Sequence, residues 1–566
     1  MTRRVVSERG TPPTRRGASG RNALAGQAHT RESSPERRTA DEPTTGWAPV
    51  LERDDVVLMG GFPHLVAEVT PQQAETDDLL RLAALLEAAD AEPILLRRAS
   101  GRPALAVDAR ARKRAIAALR ADAASEPWIV GRAGRARVFG AGSNNPFGRD
   151  ESATVYRPRV SLSGTLRLGA SHGIRLEFWR WEADVVTAPH ANALTRRVIA
   201  ADDLTFTSMN LHGRQWRTLD GMFSPGPSEF THDVDIVFSW VDGSSSDFQR
   251  ERARRMSRYV VGDGDEHSAR FRHVDEIRYA LRSVNQYAPW IRRIFIATDS
   301  PAPWWLTEHP KVTIVRSKEF FADPASLPTH NSHAVEAQLH RIEGLAEHFL
   351  YANDDMFFGR AVRPELFFTA AGISRFVESQ VRIGIGSTDP ERSGHDNAAR
   401  INRALLEERF GRVIARDLEH CAAPLRRSVM YELEEAFPDD FARTAAATFR
   451  SASDISVTNS LYHYYALMTG RAVTTREPRT RYIQTTLQPG IRQMERLLAR
   501  RDVDMFCLND GSRPEVPEAL RERVLRNTLE GYFPVRAPWE VTVSENSAVG
   551  ETLSERSTEA PSAVGS

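Results

Sequence analysis

Residues 348–355 read HFLYANDD. The first five residues are almost continuously apolar, and Asn353, Asp354 and Asp355 end the run. A short apolar run of this kind is typical of a strand that is buried on both faces of a sheet. Three similar runs precede it, at residues 234–240 (VDIVFSW), 293–298 (RIFIAT) and 311–315 (KVTIV).

Helical patterns separate these apolar runs. Apolar side chains recur at helical spacing in residues 273–287, with Ile277 and Leu281 on one face, and again in residues 331–345. Strands that alternate with helices predict βαβ units and a mainly parallel sheet. We therefore predict an α/β catalytic core over residues 230–537, with its active site at the strand ends.

The carboxyl ends of parallel strands meet at one edge of the sheet, which is where ligands bind in open α/β folds. Three of the four predicted strands are followed there by acidic residues, namely Asp242, Asp299, and Asp354 with Asp355. This edge is therefore the candidate active site.

The chain on either side of the core has a different texture. Residues 50–225 predict an α+β accessory domain with a hairpin over residues 91–107, a helix over residues 109–124 and antiparallel strands over residues 155–181. The two ends of the chain are rich in small and polar residues and predict disordered tails, a basic one at residues 1–46 and another at residues 544–566.

Composition excludes several classes of protein. The 566 residues include 75 Lys and Arg against 75 Asp and Glu, which gives no support for nucleic-acid binding. No run reaches the roughly 18 apolar residues of a membrane span, and no apolar stretch follows the basic N-terminus as in a secretory signal. Cys421 and Cys507 could form one disulfide but are too few for a disulfide framework or a cysteine zinc site. We expect a cytoplasmic protein with reduced thiols.

The adjacent carboxylates of Asp354 and Asp355 have two functional interpretations and a structural one. Asp354 could bind a divalent cation, Mg²⁺ or Mn²⁺, which prefers oxygen ligands and would neutralise a pyrophosphate. One carboxylate could instead act as the general base for an acceptor hydroxyl. The structural alternative is a solvated turn, since Asn and Asp favour turns, and the dipeptide Asp242-Gly243 has the same alternative.

The sequence LPTHNSH opens the second predicted helix, and either Asn331 or Ser332 could be its N-cap. Free N–H groups at a helix N-terminus suit phosphate, so Asn331 and His333 could contact a donor phosphate. His333, Glu336 and His340 share a face, but the two histidines are seven residues apart, which does not suit one metal ion. The alternative is a capping residue with a polar outer face.

Further candidates are ambiguous by themselves. Arg270, Arg278 and Arg282 lie near Asp275 in sequence and could form surface ion pairs or face an anionic substrate. His420 precedes a helix predicted over residues 422–437 and could hold phosphate, act as a general acid or be structural. The remaining ones are Arg450 and the turn-like pair Asn509 and Asp510.

Together and in this order, four blocks of sequence resemble the Stealth family. That family includes bacterial capsule and exopolysaccharide phosphotransferases and the animal enzyme that begins the mannose-6-phosphate tag of lysosomal proteins. The blocks are residues 233–248 (DVDIVFSWVDGSSSDF), residues 270–300 with 327–360, residues 420–455, and residues 507–511 (CLNDG). The third block departs from the usual His-x-Pro, because His420 is followed by Cys-Ala-Ala-Pro.

The resemblance implies a role for each matching residue. Asp354 and Asp355 look like the catalytic acidic pair, with Asp355 as the base, and His420 and Arg450 look like residues that stabilise phosphate. The residues that look like further contacts of the substrate are Asp242, Arg270, Asn331, His333, Asn509 and Asp510.

The resemblance also implies a reaction. A nucleotide sugar, in our expectation UDP-linked, would donate a sugar-1-phosphate to a hydroxyl of a cell-surface polysaccharide, and UMP would leave. Peripheral association with export machinery at the inner face of the membrane is compatible with this. Two alternatives stay open: a glycosyltransferase that releases UDP, and a glycan-binding protein without catalysis.

Overall fold

The computed structural model describes residues 47–132, 135–139, 145–243, 245, 249–250, 253–254, 274–511 and 514–541. The tails predicted at residues 1–46 and 544–566 lie outside these ranges, and so does Arg270. Among the described residues, no helix is long and apolar enough to cross a membrane.

The described residues of the first region form three α-helices and two sheets. The helices are α1 (Ala48–Leu51), α2 (Pro71–Ala88) and α3 (Arg112–Asp122). The strands are β1 (Val56–Met59), β2 (Phe62–Val66), β3 (Ile94–Arg97), β4 (Pro103–Asp108), β5 (Ile129–Arg132), β6 (Arg135–Val138), β7 (Ser152–Tyr156), β8 (Arg159–Val160), β9 (Arg167–Leu168), β10 (Ile174–Trp181), β11 (Val185–Thr187), β12 (Val198–Ala200), β13 (Phe206–Leu211) and β14 (Arg214–Leu219). One sheet has the order β1-β2-β8-β9, and the other has the order β13-β14-β3-β4-β10-β7-β5-β6, with β11 and β12 attached through β10.

Most local predictions for this region are confirmed. Strands β3 and β4 form the expected hairpin, and Gly101 in its turn has φ +81°, a conformation that suits glycine. The predicted helix is a 3₁₀ turn followed by α3. The predicted antiparallel strands are confirmed where β10 pairs with β7, but β10 also pairs parallel with β4, which the sequence did not predict. The connection from β4 to β10 is long and includes α3, so it permits the crossover that parallel pairing needs.

The second region contains the predicted core. Its helices are α4 (Glu276–Tyr287), α5 (Ser317–Phe320), α6 (Ser332–Glu336), α7 (Gly394–Phe410), α8 (Arg427–Ala436), α9 (Pro438–Ala446), α10 (Tyr462–Met468), α11 (Gln488–Arg500) and α12 (Glu518–Tyr532). Its strands are β15 (Val234–Ser239), β16 (Ile294–Ala297), β17 (Val312–Val315), β18 (His348–Asn353), β19 (Met356–Phe358), β20 (Ser374–Phe376), β21 (Glu378–Arg382), β22 (Arg416–Leu418), β23 (Ala423–Arg426), β24 (Ala472–Thr474), β25 (Thr480–Gln484) and β26 (Met505–Asn509). Among the described residues, no strand of the second region shares a sheet with a strand of the first region. The boundary between the two domains stays a prediction.

The four predicted strands lie in one five-stranded sheet with the order β17-β16-β15-β18-β23. The pairs among β17, β16, β15 and β18 are parallel, and only β23 runs antiparallel. Ser239 of β15 lies opposite both Ala297 and Asn353. The residues that follow these three strands therefore reach the same edge of the sheet.

Apolar clusters cover both faces of this sheet. On one face, Ile277 and Leu281 of α4 are fully buried with Ile236 and Ile294, which confirms the predicted stripe of α4. On the other face, Val237 and Phe349 pack in a cluster that includes residues of α8 and α10. Burial on both faces explains why these strands are apolar at nearly every position.

The single helix predicted over residues 331–345 is wrong. Helix α6 ends at Glu336, and a 3₁₀ turn follows at Leu339–Arg341. Polar side chains of this segment find partners outside the helix: Gln338 accepts a hydrogen bond from the Ala322 amide, and His340 lies 2.9 Å from Glu434. These tertiary contacts favour a broken segment over a continuous helix.

The helix predicted over residues 422–437 begins too early. Residues of β23 form an antiparallel edge strand in which Pro424 lies opposite Leu350, and α8 starts only at Arg427. An edge strand tolerates proline because its outward N–H position needs no partner in the sheet. The proline therefore marks a strand here and not the first turn of a helix.

The sequence suggested ion pairs between Asp275 and the arginines of α4, but these arginines pair with Glu540 instead. Arg278 and Arg282 both bind Glu540, at 2.7 and 2.6 Å, and Arg282 also donates to the carbonyl of Phe533. The two guanidinium groups thus hold the segment that contains Phe533 and Glu540 against α4.

Candidate active site

The acidic pair lies in the turn between β18 and β19. Strand β19 pairs antiparallel with β26, which pairs parallel with β25. In this register the amide of Leu508 donates to the carbonyl of Asp355 at 3.0 Å. The pairing brings the sequence CLNDG, from 152 residues farther along the chain, beside Asp354 and Asp355.

Asp355 is the more constrained of the two acids. Cys507 donates its thiol hydrogen to Oδ2 of Asp355 at 3.3 Å, and Oδ1 is buried with no partner among the described residues. Burial raises the pKa of Asp355 to about 6, the negative charges of Asp510 and Glu276 act in the same direction, and the Cys507 hydrogen bond acts against them. A carboxylate with such a pKa and a free oxygen suits a general base near neutral pH.

Asn509 is the last residue of β26, and Asp510 follows it at the same edge. Thr485 donates its amide to the carbonyl of Asn509 at 2.9 Å, and its hydroxyl donates to Asp510 Oδ1. Gln484, at the end of β25, lies opposite Asn509. The predicted turn is therefore held by β25, and its acidic side chain acts electrostatically on Asp355.

His420 adjoins Cys507 from the other side. Its Nδ1 lies 4.0 Å from Cys507 Sγ, and its ring meets that of Tyr482 edge-on at 5.5 Å. Burial lowers the pKa of His420 to about 4, with smaller contributions from the positive charges of His395 and Arg450. His420 is thus a neutral imidazole at neutral pH, and Cys507 connects it to Asp355.

A second histidine near His420 was not found from the sequence. His395, in the first turn of α7, lies with its Nε2 2.8 Å from Asp417 Oδ2. The hydrogen bond to Asp417 raises the pKa of His395, although burial opposes it. His395 is outside all four sequence blocks, and no local pattern distinguishes it from a surface histidine.

Asn331, His333 and Arg450 form a neighbouring group around the start of α6. Asn331 accepts a hydrogen bond from the His333 amide and donates to Asp454 at 2.8 Å, which confirms it as the N-cap. His333 Nδ1 lies 3.7 Å from the same carboxylate. Arg450 donates to the Ser332 hydroxyl at 2.7 Å. Asn331 is almost fully buried, and its side chain is engaged in these capping contacts. Its contact with a donor phosphate stays a prediction.

Asp242 lies beyond the end of β15, on the edge that carries the acidic pair. Its amide donates to the hydroxyl of Ser300 at 2.8 Å, which fixes the turn after β15 beside the turn after β16. Arg270, the remaining predicted contact, lies outside the described residues.

The described residues do not form a ready metal site. Among them, no three His, Cys, Asp or Glu side chains are grouped so that they could hold an ion. Cys421 and Cys507 are both buried free thiols, so the disulfide considered above is not formed. The described residues thus supply no such ligand set for Mg²⁺ or Mn²⁺ at Asp354, and this ion stays a prediction.

Comparison with known protein families finds four matches. They are Stealth protein conserved region 1 at residues 232–260, conserved region 2 at residues 270–376, conserved region 3 at residues 419–467 and conserved region 4 at residues 495–548. Each of the four blocks recognised in the sequence falls inside one of these regions.

Curated relatives extend the similarity over most of the chain. The exopolysaccharide phosphotransferase CpsY of Mycobacterium tuberculosis (strain ATCC 25618 / H37Rv) is 50% identical over 489 residues, which are 86% of this chain and 92% of the relative. An exopolysaccharide phosphotransferase of Nocardia farcinica (strain IFM 10152) is 59% identical over 370 residues, or 65% of this chain and 73% of the relative.

Solved structures add little. The galactosyltransferase LgtC, in complex with donor and acceptor sugar analogs, is 10% identical over 55% of this chain and 99% of its own, with a TM-score of 0.28. A similarity this low supports no conclusion about fold or ligand.

Proposed function

This chain belongs to the Stealth family, and we propose that it transfers a sugar-1-phosphate from a UDP-sugar to a hydroxyl of an exopolysaccharide, with release of UMP. The names of its relatives support phosphate transfer in polysaccharide synthesis. The observation behind a site for this reaction is Asp355 at the end of the parallel strands, whose Oδ1 is buried and has no partner among the described residues.

In the proposed reaction, the acceptor oxygen attacks the phosphorus that bears the sugar. A new O–P bond forms, and the bond from this phosphorus to the oxygen that bridges the two phosphates breaks. UMP leaves with the bridging oxygen, and Asp355 Oδ1 takes the proton of the acceptor hydroxyl. The product is a phosphodiester between the sugar and the acceptor.

The remaining groups of the site would stabilise charge. Phosphoryl transfer depends mainly on positioning and on neutralising oxygens, and Arg450 is a suitable guanidinium for this purpose. His420 is neutral near pH 7 because burial lowers its pKa to about 4, so it would donate a hydrogen bond and not a charge. Asp242, Asn331, His333, Asn509 and Asp510 are proposed to position the donor, directly or through their neighbours.

The nucleotide product distinguishes this function from its main alternative. A purified enzyme incubated with a panel of UDP-sugars and an acceptor glycan should release UMP, and mass spectrometry of the product should show a phosphodiester. Release of UDP would instead identify a glycosyltransferase, in which the acceptor attacks the anomeric carbon. Release of neither nucleotide, with retained glycan binding, would identify a non-catalytic glycan-binding protein. The cytoplasmic location and the association with export machinery stay predictions.

A further inference from the structure

A polar cavity lies at the end of the parallel sheet opposite the acidic pair. Its volume is about 520 Å³, and its polar walls come from His232, Asp233, Arg292, Glu347, His348 and Arg426. His348 begins β18, and Asp354 follows its other end. At about 3.3 Å per residue, the strand separates the two places by roughly 17 Å. The cavity is therefore separate from the candidate active site.

The charged groups of the cavity are balanced. Arg292 donates to the buried carboxylate of Asp235 at 2.9 and 2.6 Å, and its Nη1 lies 3.5 Å from Asp233. Arg426 Nε donates to Glu347 at 3.0 Å. Because each guanidinium faces a carboxylate, the walls carry no surplus positive charge that would select a phosphate or another anion.

The same walls still offer both donors and acceptors to a ligand. The bond from Arg426 to Glu347 uses Nε, so the two Nη groups can donate elsewhere. The side chain of Asp233 is 70% exposed and presents carboxylate oxygens. Neighbouring donors and acceptors of this kind suit a ligand whose groups are both donors and acceptors, as hydroxyl groups are.

One wall is a flat imidazole. The exposed ring of His232 stacks on that of His348, with centroids 5.1 Å apart and planes 21° apart. Burial lowers the pKa of His348, whose Nε2 lies 3.1 Å from the carbonyl of Gly372. Gly372 has φ +76°, and a Cβ there would lie 2.6 Å from His348 Nε2, so glycine is needed for this approach. The contact with Gly372 thus fixes the ring of His348, on which His232 stacks.

We propose that this cavity binds a neutral oligosaccharide, at a site distinct from the site of transfer. Sugar hydroxyls match the mixed donors and acceptors of Arg426 and Asp233, and the C–H face of a sugar ring packs on a flat ring such as that of His232. The saccharide class follows from the cavity alone. Its identification as a stretch of the acceptor polysaccharide rests on the proposed function.

Binding of hexasaccharides from dextran, mannan and galactan, measured by titration calorimetry on the full chain, tests this proposal. We expect one of them to bind the wild type, and His232→Ala and Arg426→Gln to weaken its binding about tenfold or more each, as loss of a packing surface or a ligand hydrogen bond does. His232 is exposed, so its variant is expected to fold, and thermal melting verifies this for both. Arg496→Gln, at an exposed arginine of α11, is the matched control that should bind as the wild type does.

Two further measurements separate the cavity from the transfer site. Asp355→Asn should lose UMP release and keep hexasaccharide binding, whereas His232→Ala should keep UMP release with a small acceptor. The proposal is overturned if none of the hexasaccharides binds, if folded His232→Ala and Arg426→Gln bind as the wild type does, or if inorganic phosphate displaces the sugar. Failure of UMP release in the wild type, with binding intact, would overturn the proposed function alone.

Discussion

The thiol of Cys507 donates to the carboxylate of Asp355 across 3.3 Å, joining two residues that lie 152 positions apart in the chain. Burial raises the pKa of Cys507 well above its usual value, and the neighbouring Asp355 adds to this effect, so the sulfur keeps its hydrogen. Cys507 is thus a hydrogen-bond donor to the proposed base, and the geometry does not favour a thiolate nucleophile.

The Cys507–Asp355 contact predicts a change in the pH–rate profile. A general base works only when it is deprotonated, so the rate should fall as pH drops through the pKa of Asp355, about 6. The Cys507 hydrogen bond lowers that pKa, so Cys507→Ala should move the acidic limb of kcat/KM to higher pH. Cys507→Ser keeps a donor and should leave the limb close to its original position. An unmoved limb in Cys507→Ala would mean that Asp355 is not the titrating base.

Asp355→Asn should separate catalysis from stability. We expect UMP release to fall about a hundredfold or more, since a general base is lost. Because the carboxyl pKa is raised in the folded state, its ionised form destabilises the fold at pH 7. The variant should therefore have an unchanged or higher free energy of unfolding at neutral pH, measured with urea. A purely structural Asp355 would instead give lower stability together with the lower activity.

The strands and their acidic ends could be predicted because each strand has a local signature. HFLYA and VDIVFSW are mainly apolar runs buried on both faces, and parallel pairing carries the Asp residues that follow them to one edge. The N-cap role of Asn331 was equally local, since it depends on residues next to it in sequence.

What the sequence did not reveal depends on contacts between distant segments. The pairing of β19 with β26 and the Cys507–Asp355 hydrogen bond follow from tertiary packing, which no local periodicity encodes. The start of β23 was missed because Pro424 suits both a first helical turn and an edge strand. His395 was missed because its significance depends on Asp417, which is 22 residues away.

His395 predicts the alkaline side of the profile. Its hydrogen bond to Asp417 raises its pKa, so it keeps a positive charge to higher pH, and this charge is lost as pH rises through the raised pKa. Asp417→Asn should therefore move an alkaline limb of kcat/KM to lower pH, and His395→Gln should abolish that limb and lower kcat/KM on the order of tenfold. His190→Gln, at an exposed histidine of the first region, is the control and should change neither limb. If His395→Gln keeps the full alkaline limb, the positive charge of His395 does not contribute to kcat/KM.

The ion pairs of Glu540 predict a large effect on stability. Glu540 binds Arg278 and Arg282, and the side chains of Glu540 and Arg282 are only 1% and 8% exposed. Although burial opposes it, Arg282 lowers the pKa of Glu540, so this group stabilises the fold above its unfolded pKa and ceases to do so as pH falls through the folded pKa. Glu540→Gln leaves Arg282 buried without a countercharge and should reduce the free energy of unfolding at pH 7 by about 3–5 kcal/mol.

The control variant is Glu522→Gln, which breaks the ion pair between Glu522 and Arg526. The side chains of Glu522 and Arg526 are 44% and 42% exposed, so the loss of this pair should cost about 1 kcal/mol or less. Urea unfolding of both variants at pH 7 checks this, and equal losses would show that Arg282 does not depend on Glu540.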